Sequence, residues 1–298
     1  MNDPHEPADP PLPPPRPSAF EERWSSRLFR AVSPRLERPA ALPTPDSLRP
    51  FEEVRVPRPP RGELTATWFP ANGPARGAVL LLHPWLPWGK AYFHRRGRIP
   101  ALREAGYHSL ALDLSGFGGS SRPAGHLDLD VEAGLAALRE RAPGLPLHLW
   151  GVSSGGYWAH PVLARTSEVR SAMFEDVSPH LFEWSWRMAP LFRPCYAFFR
   201  LAFPTSYRYL DARRHAAAFR LGAVAYVSGE KDRGVLPSDT RALAEAAGGA
   251  ARIVPGAGHL AAIKVATEEV LALALETFRR GEEGPAERAP LAEIVQPA

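Results

Sequence analysis

Apolar runs of strand length alternate with helical stretches over most of this chain, between about residues 51 and 280. The later runs are continuously apolar, as expected for strands that are covered on both faces, and they are GAVLLLH, YHSLALD, LPLHLWG, RSAMFEDV, GAVAYVSG and ARIVPG. Two earlier runs, FEEVRVP and GELTATWF, alternate in polarity and predict an antiparallel pair. Because parallel strands need a crossover connection, usually a helix, this alternation predicts an α/β domain with a mostly parallel central sheet flanked by helices.

The intervening stretches predict the helices of this domain. They lie near residues 99–105, 131–141, from 156 onward, 238–247 and 262–279. The last of them carries a broad apolar face, and its glutamates can face water. In sheets of this type the chemistry is found at the carboxyl ends of the strands, so the residues directly after each apolar run are the candidates for function.

The composition supports a large core and argues against several classes of protein. At 298 residues and 45% hydrophobic content, the chain can bury one large domain or two small ones. The net charge of +4 is modest, and the arginines are scattered, which is typical of solvated faces rather than of a nucleic-acid-binding surface. The single cysteine, Cys195, excludes an intrachain disulfide and a cysteine-based zinc site.

The sequence pattern predicts neither a signal peptide nor a membrane span. The N-terminal stretch MNDPHEPADPPLPPPRP has no basic start and no apolar run. The longest charge-free run, residues 142–164, contains prolines, glycines, histidines and two adjacent serines, which predicts a strand, a turn and a helix start. We therefore expect a cytoplasmic protein without a transmembrane segment.

The distribution of proline divides the chain into three parts. Residues 1–50 predict a proline-rich, partly disordered arm that contains one short amphipathic piece, FEERWSSRLFRAV. Residues 51–280 predict the α/β domain, and residues 281–298 a loose C-terminal tail. Residues 178–220 form a long insertion between the runs RSAMFEDV and GAVAYVSG, and we call them the inserted segment.

One serine stands between glycines directly after the buried run LPLHLW. Gly151 precedes Ser153 by two residues, and Gly155 follows it by two. A nucleophile on a sharp strand-to-helix turn needs such small neighbours, because the strand and the helix approach each other too closely for side chains. Ser154 can also be interpreted as a helix N-cap, which leaves its backbone N–H free to stabilise an oxyanion.

An acid and a base follow two later strands. Asp232 comes after GAVAYVSG and can orient a histidine, although a lone turn aspartate more often caps backbone amides. His259 comes after ARIV, in a glycine-rich loop before the final helix. The chain order Ser, Asp, His is the one that this architecture uses for acyl transfer. Glu175 and Asp176, after SAMF, remain alternative acids.

With these residues the sequence resembles the α/β-hydrolases over roughly residues 51–280. The stretches that carry the resemblance are GVSSGG, GEKDRGV, GAGH and LALDLSGFGGS. The resemblance implies the α/β-hydrolase fold, with Ser153 as nucleophile, His259 as general base and Asp232 as orienting acid. It implies no cofactor and no metal.

The resemblance also implies an oxyanion hole and a helical cap. The family's oxyanion loop usually begins His-Gly-X, whereas this chain has His83-Pro84-Trp85; proline lacks an N–H, so the donors expected here are Trp85 and Ser154. The inserted segment stands where the family commonly carries its cap. It has eight aromatic residues between positions 182 and 203, which predict an apolar acyl pocket. We expect the substrate contacts to be His83, Trp184 and Trp186.

The predicted function is therefore hydrolysis of a carboxylic ester, with an apolar or lipid-like acyl group, through an acyl-enzyme. Peptidase, thioesterase and acyltransferase activities are alternatives that use the same triad. A non-catalytic binding module, whose proline-rich arm recruits partners, is an alternative of another class.

The turn GFGGSS lacks the third small residue of a dinucleotide-binding loop, so we do not expect such a cofactor. The arginines of the inserted segment leave interfacial contact with a membrane as an open alternative. No oligomeric state is predicted.

Overall fold

The computed structural model describes residues 11–32, 42–122 and 126–283. Predictions for the beginning of the proline-rich arm, for residues 33–41 and for the tail from residue 284 lie outside these described residues. Within the arm, the amphipathic piece lies in helix α1, Ala19–Val32, and residues 11–18 have no regular structure.

The centre of the molecule is an eight-stranded sheet with the order β1-β2-β4-β3-β5-β6-β7-β8. Strands β1 and β2 are antiparallel to their neighbours, and the other six strands run parallel to one another. The strands are β1 (Glu52–Pro57), β2 (Glu63–Phe69), β3 (Gly77–Leu82), β4 (Tyr107–Leu112), β5 (Leu147–Val152), β6 (Val169–Glu175), β7 (Ala223–Gly229) and β8 (Ala250–Val254). The prediction of an α/β domain with a mostly parallel sheet is confirmed.

Helices cover both faces of this sheet. After α1, the helices are α2 (Arg98–Glu104), α3 (Asp128–Arg141), α4 (Ser154–Leu163), α5 (Leu181–Met188), α6 (Arg193–Ala202), α7 (Pro204–Tyr209), α8 (Ala212–Ala216), α9 (Pro237–Ala247), α10 (Ala262–Val265) and α11 (Thr267–Glu282). Alternate residues of the strands face opposite layers. Leu80 and Leu82 of β3 belong to the core cluster that includes side chains of α3, α4 and α9, whereas Val79 and Leu81 belong to the cluster on the other face, with side chains of α2 and α11.

The single helix predicted over residues 262–279 is wrong, because the chain forms two helices there. Ala266 leaves the helical region, with φ −131° and ψ 59°, and separates α10 from α11. The Thr267 hydroxyl donates to the Ile263 carbonyl at 2.7 Å, a backbone contact that accompanies bends in helices. The apolar pattern continues through the break, since Ile263 and Val270 are both buried, so periodicity alone does not reveal it.

The inserted segment lies between β6 and β7 and contains α5 to α8. Arg187 joins it to the region after β7, because it forms an ion pair with Asp239 of α9 and donates to the carbonyl of Gly234, in the loop before that helix, at 3.0 Å. Tyr157 of α4 donates its hydroxyl to the carbonyl of Leu210 on the other side of the segment. The segment is therefore anchored at both of its flanks.

None of the helices in the described part of the chain is long and apolar enough to cross a bilayer. The charge-free run over residues 142–164 forms β5, a tight turn and α4, as the sequence predicts.

Candidate active site

Four side chains that carry chemistry meet at the carboxyl edge of the sheet. Ser153 directly follows β5, Asp176 directly follows β6, Asp232 follows β7 and His259 follows β8. These four strands are neighbours in the sheet and run parallel, so their ends open at the same edge. Residues far apart in sequence thereby become neighbours in space.

Ser153 lies on a sharp turn between β5 and α4. Its backbone has φ 47° and ψ −116°, which is a strained conformation for a residue with a side chain, and its N–H donates to the Glu175 carbonyl at 2.7 Å. A Cβ on Gly155 would lie 2.5 Å from the Leu82 carbonyl oxygen and 2.6 Å from that of His83. Glycine at this position is what allows the turn to press against the end of β3.

We expect Gly155→Ala to destabilise the fold and to displace Ser153. The added methyl group meets two backbone oxygens, which cannot rotate away, so the cost is that of an overpacked core, about 1–3 kcal/mol. The control is Gly258→Ala, because a Cβ there meets nothing within 4 Å. Thermal melts of both variants measure the effect. Equal melting temperatures would contradict the close approach at Gly155.

The structure brings the three predicted triad side chains together. The Ser153 Oγ lies 3.4 Å from His259 Nε2, and His259 Nδ1 lies 2.6 Å from Asp232 Oδ2. Asp232 is fully buried, and its other oxygen accepts the N–H groups of Gly234 at 2.8 Å and Val235 at 3.0 Å. The carboxylate is thus fixed, Nδ1 of the histidine carries the proton that it donates to Asp232, and Nε2 faces the serine as an acceptor.

Charge around the imidazole favours its protonated form. Burial by itself would lower the pKa of His259, but the hydrogen bond and the negative charge of Asp232, together with the charge of Asp176, raise the pKa above its ordinary value. The ring remains about one third exposed, at 31%, so a substrate can reach it. A histidine in this setting can accept a proton and hold the resulting charge.

The two alternative acids are engaged elsewhere. Both oxygens of Glu175 lie 2.9 Å from the Arg98 guanidinium, and one of them accepts the Trp150 indole N–H at 2.7 Å. Asp176 accepts the backbone N–H groups of Leu260 at 3.0 Å and Gly229 at 3.3 Å. Of the three candidate carboxylates, Asp232 is the one that is hydrogen-bonded to the His259 ring.

A carboxylate oxygen of Asp176, one of Asp232 and a ring nitrogen of His259 all lie within 4.8 Å of one another. In the described residues, this is the group of three ligand-bearing side chains with spacing suitable for a metal ion. Asp232 and the Nδ1 of His259 are bonded to each other, so the same atoms form the core of the triad.

The two predicted oxyanion donors keep their backbone N–H groups available. Among the described residues, neither the Trp85 N–H nor the Ser154 N–H donates a hydrogen bond. His83 positions this loop: its Nε2 accepts the Leu114 N–H at 3.0 Å, and its Nδ1 donates to the Pro84 carbonyl at 2.7 Å. His83 is also completely buried. The prediction that it contacts substrate is corrected accordingly, since its ring has neither exposed surface nor a free nitrogen.

The other two predicted substrate contacts lie in different places. The Trp184 ring packs on Gly234, where an added Cβ would lie 2.8 Å from Cδ1, so it stands beside the loop that carries Asp232. Trp186 is 44% exposed and lines a groove of about 570 Å³. That groove is formed entirely by residues of the inserted segment, and Ser153 is not among them. Trp186 therefore lines a groove to which none of the three triad residues contributes.

A buried ion pair supports the serine turn, and it could not be predicted from the sequence. Arg98 and Glu175 are almost fully buried, and the guanidinium lies over the rings of Tyr92 and Trp150 at 4.7 and 5.5 Å. Because the Glu175 carbonyl accepts the Ser153 N–H, this ion pair anchors the strand end that holds the serine. Arg98 lies just before the predicted helix of residues 99–105, and nothing in the sequence around it indicates a buried acidic partner.

Comparison with known sequences points to one group of proteins. A family model described as the alpha/beta hydrolase fold matches residues 77–194. The human protein ABHD14A is 41% identical over 78 residues, which are 25% of this chain and 26% of that protein. The aligned part therefore spans about a quarter of this curated relative.

Solved structures give the same result for the fold. The Pyrococcus furiosus esterase Pf2001 superposes with a TM-score of 0.66 at 19% identity, over 83% of this chain and 98% of that one. A bromoperoxidase from Bacillus anthracis gives a TM-score of 0.55 at 16% identity, over 77% of this chain and 100% of that one. At such identities the similarity concerns the fold alone.

Proposed function

We propose that this chain, which belongs to the α/β-hydrolase superfamily, is a serine hydrolase that cleaves a carboxylic ester through an acyl-enzyme on Ser153. The observation that carries the proposal is the continuous chain of contacts from the Ser153 hydroxyl through the His259 imidazole to the buried Asp232 carboxylate. That arrangement supplies a nucleophile, a base and an orienting acid in the geometry that acyl transfer requires.

The proposed mechanism has two half-reactions. His259 Nε2 takes the hydroxyl proton as the Ser153 Oγ attacks the ester carbonyl, and the N–H groups of Trp85 and Ser154 bind the oxyanion. The imidazolium then gives its proton to the departing alcohol, which leaves the acyl group on Ser153. A water molecule repeats the attack with His259 as base, and the carboxylic acid is released.

An apolar acyl group suits the surroundings of this site. The inserted segment is rich in aromatic side chains, and Trp184 stands directly beside the acid loop. Aromatic side chains beside the site favour the binding of an uncharged or lipid-like acyl chain over a charged one. One of the proteins that share this fold is named as an esterase.

A fluorophosphonate probe tests whether Ser153 is activated. We expect the wild-type protein to become covalently labelled, with the modified peptide containing Ser153, because the probe reacts with serines that have a functioning base. A graded panel of esters, with thioester and amide counterparts, then separates esterase from thioesterase and peptidase activity. A folded protein that neither reacts with the probe nor turns over any member of the panel would favour the non-catalytic binding module.

The activity should depend on pH through His259. The histidine must be neutral to act as base, and its pKa is raised above the ordinary value of about 6.5. We therefore expect kcat/KM to be low in acid, to rise through an apparent pKa above about 6.5, and to level off at higher pH. A pH–rate profile on a p-nitrophenyl ester measures this. A midpoint clearly below 6.5 would contradict the assigned environment of the base.

A further inference from the structure

We propose that Asp176 is a positioning residue for His259, which holds the backbone after the imidazole and stabilises the imidazolium that forms during acyl transfer. The inference rests on the proposed function, because it assigns to Asp176 a part in the chemistry of the same site. Asp176 does not touch the reacting atoms and acts through the histidine.

Asp176 occupies a buried position with an unfavourable backbone conformation, which indicates that its side chain has a functional role. The residue is 1% exposed, directly follows β6 and has a φ of 51°, in the region that residues other than glycine seldom adopt. Its N–H donates to the Val227 carbonyl at 2.8 Å, which fixes it against the neighbouring strand. Strained, buried carboxylates of this kind are concentrated at functional sites.

The Asp176 carboxylate joins the ends of two strands to the histidine loop. One oxygen accepts the Leu260 N–H at 3.0 Å, and the other accepts the Gly229 N–H at 3.3 Å. Leu260 directly follows His259 and itself has a positive φ of 57°. The hydrogen bond to Leu260 therefore secures the strained peptide that sets the direction of the imidazole.

The charges that face Asp176 come from every element around it. They are His259 from the loop after β8, Asp232 from the loop after β7, Glu175 from β6 and the hydroxyl of Tyr92. The positive charge of Arg98 is bound to Glu175. Among these facing groups, the protonated His259 is therefore the cation available to balance an ionised Asp176.

These neighbouring groups couple the ionisation of Asp176 to the protonation of His259. Burial raises its pKa to about 7, against the opposing effect of His259 and with added repulsion from Glu175 and Asp232. The negative charge on Asp176 is thus unfavourable while His259 is neutral. It becomes favourable when His259 takes the proton of Ser153, so the interaction is stronger in the transition state than in the ground state.

The variant Asp176→Asn removes the charge and keeps the hydrogen bond beside the histidine. The amide oxygen can still accept the Leu260 N–H, whereas the NH₂ group replaces the oxygen that accepts the longer 3.3 Å bond from Gly229. Asparagine also tolerates a positive φ, so we expect the fold to be retained. We expect kcat on a p-nitrophenyl ester to fall about tenfold with little change in KM, since the loss of the Asp176 charge lowers the pKa of His259 and leaves the imidazolium less stabilised. The matched control is Asp46→Asn, which alters an exposed aspartate far along the chain.

Stability provides a readout that a merely structural residue would not give. Because the folded-state pKa of Asp176 is raised from 3.8 to about 7, ionising it costs stability as pH rises through that range. Asp176→Asn removes this cost, so its melting temperature should exceed that of the wild type at about pH 8 and by less at about pH 5.5. A variant that loses activity and gains stability at high pH supports positioning; one that loses both at all pH values overturns the proposal.

An NMR titration of the His259 ring tests the proposal without turnover. A lower His259 pKa in Asp176→Asn than in the wild type supports it, and equal values overturn it. Asp176→Gly, which also fits a positive φ and lacks the charge, serves if the asparagine variant does not fold. Should the wild type fail to react with the fluorophosphonate probe, the proposed function fails, and the titration still decides on Asp176.

Discussion

Ser153→Ala is expected to abolish ester turnover, with kcat/KM falling by about 10⁴-fold or more. The variant lacks the oxygen that attacks the carbonyl. The neighbouring hydroxyl of Ser154 cannot replace it, because its Oγ is buried and has no hydrogen-bond partner, and therefore no base, among the described residues. Residual activity would come from the oxyanion donors alone.

The same variant should fold as well as the wild type. The Ser153 hydroxyl makes one contact within the described residues, at 3.4 Å to His259, so we expect the melting temperature to move by about 2 °C or less. Ser238→Ala, at an exposed serine of α9, is the matched control and should keep full activity. Turnover by Ser153→Ala close to that of the control would remove Ser153 from the mechanism.

Asp232→Asn is expected to lower kcat/KM by about 10³- to 10⁴-fold while preserving the packing. The reason is that the hydrogen-bond partners of the Asp232 side chain allow the asparagine amide only one orientation. The oxygen position that faces the N–H groups of Gly234 and Val235 must remain an acceptor, so the amide NH₂ has to point at His259 Nδ1. Nδ1 then becomes an acceptor, Nε2 carries the proton, and the histidine can no longer deprotonate Ser153.

The control for Asp232→Asn is Glu230→Gln in the same loop. Glu230 accepts the Gly256 N–H at 2.9 Å on the surface, and glutamine keeps that acceptor, so near wild-type activity is expected. Steady-state kinetics on one p-nitrophenyl ester compare the two variants. If Asp232→Asn loses less than tenfold while Asp176→Asn loses far more, then Asp176 is the triad acid.

The fold was predictable because its signals are local. Buried parallel strands read as continuous apolar runs, and the alternation with helices leaves few arrangements for the chain. The break at Ala266 was not predictable, since a change in the φ and ψ of one residue leaves the apolar pattern of α10 and α11 intact.

The candidate site was predictable only for the residues whose positions follow from chain order and from the ends of the parallel strands. Ser153, Asp232 and His259 each directly follow or nearly follow a strand, and parallel pairing brings such ends together. The direction in which a side chain points depends on contacts across strands, which the sequence does not contain. His83 was therefore expected to face the substrate, although it is buried behind the loop, and Asp176 was weighed only as a rival acid.

Gly234 is held through both of its backbone polar groups. Its N–H donates to Asp232, and its carbonyl accepts from Arg187 of the inserted segment. The inserted segment and the carboxylate that orients His259 are therefore connected through a single residue. Any outward movement of the segment that carried Arg187 with it would act on Gly234, and through Gly234 on the position of the Asp232 carboxylate.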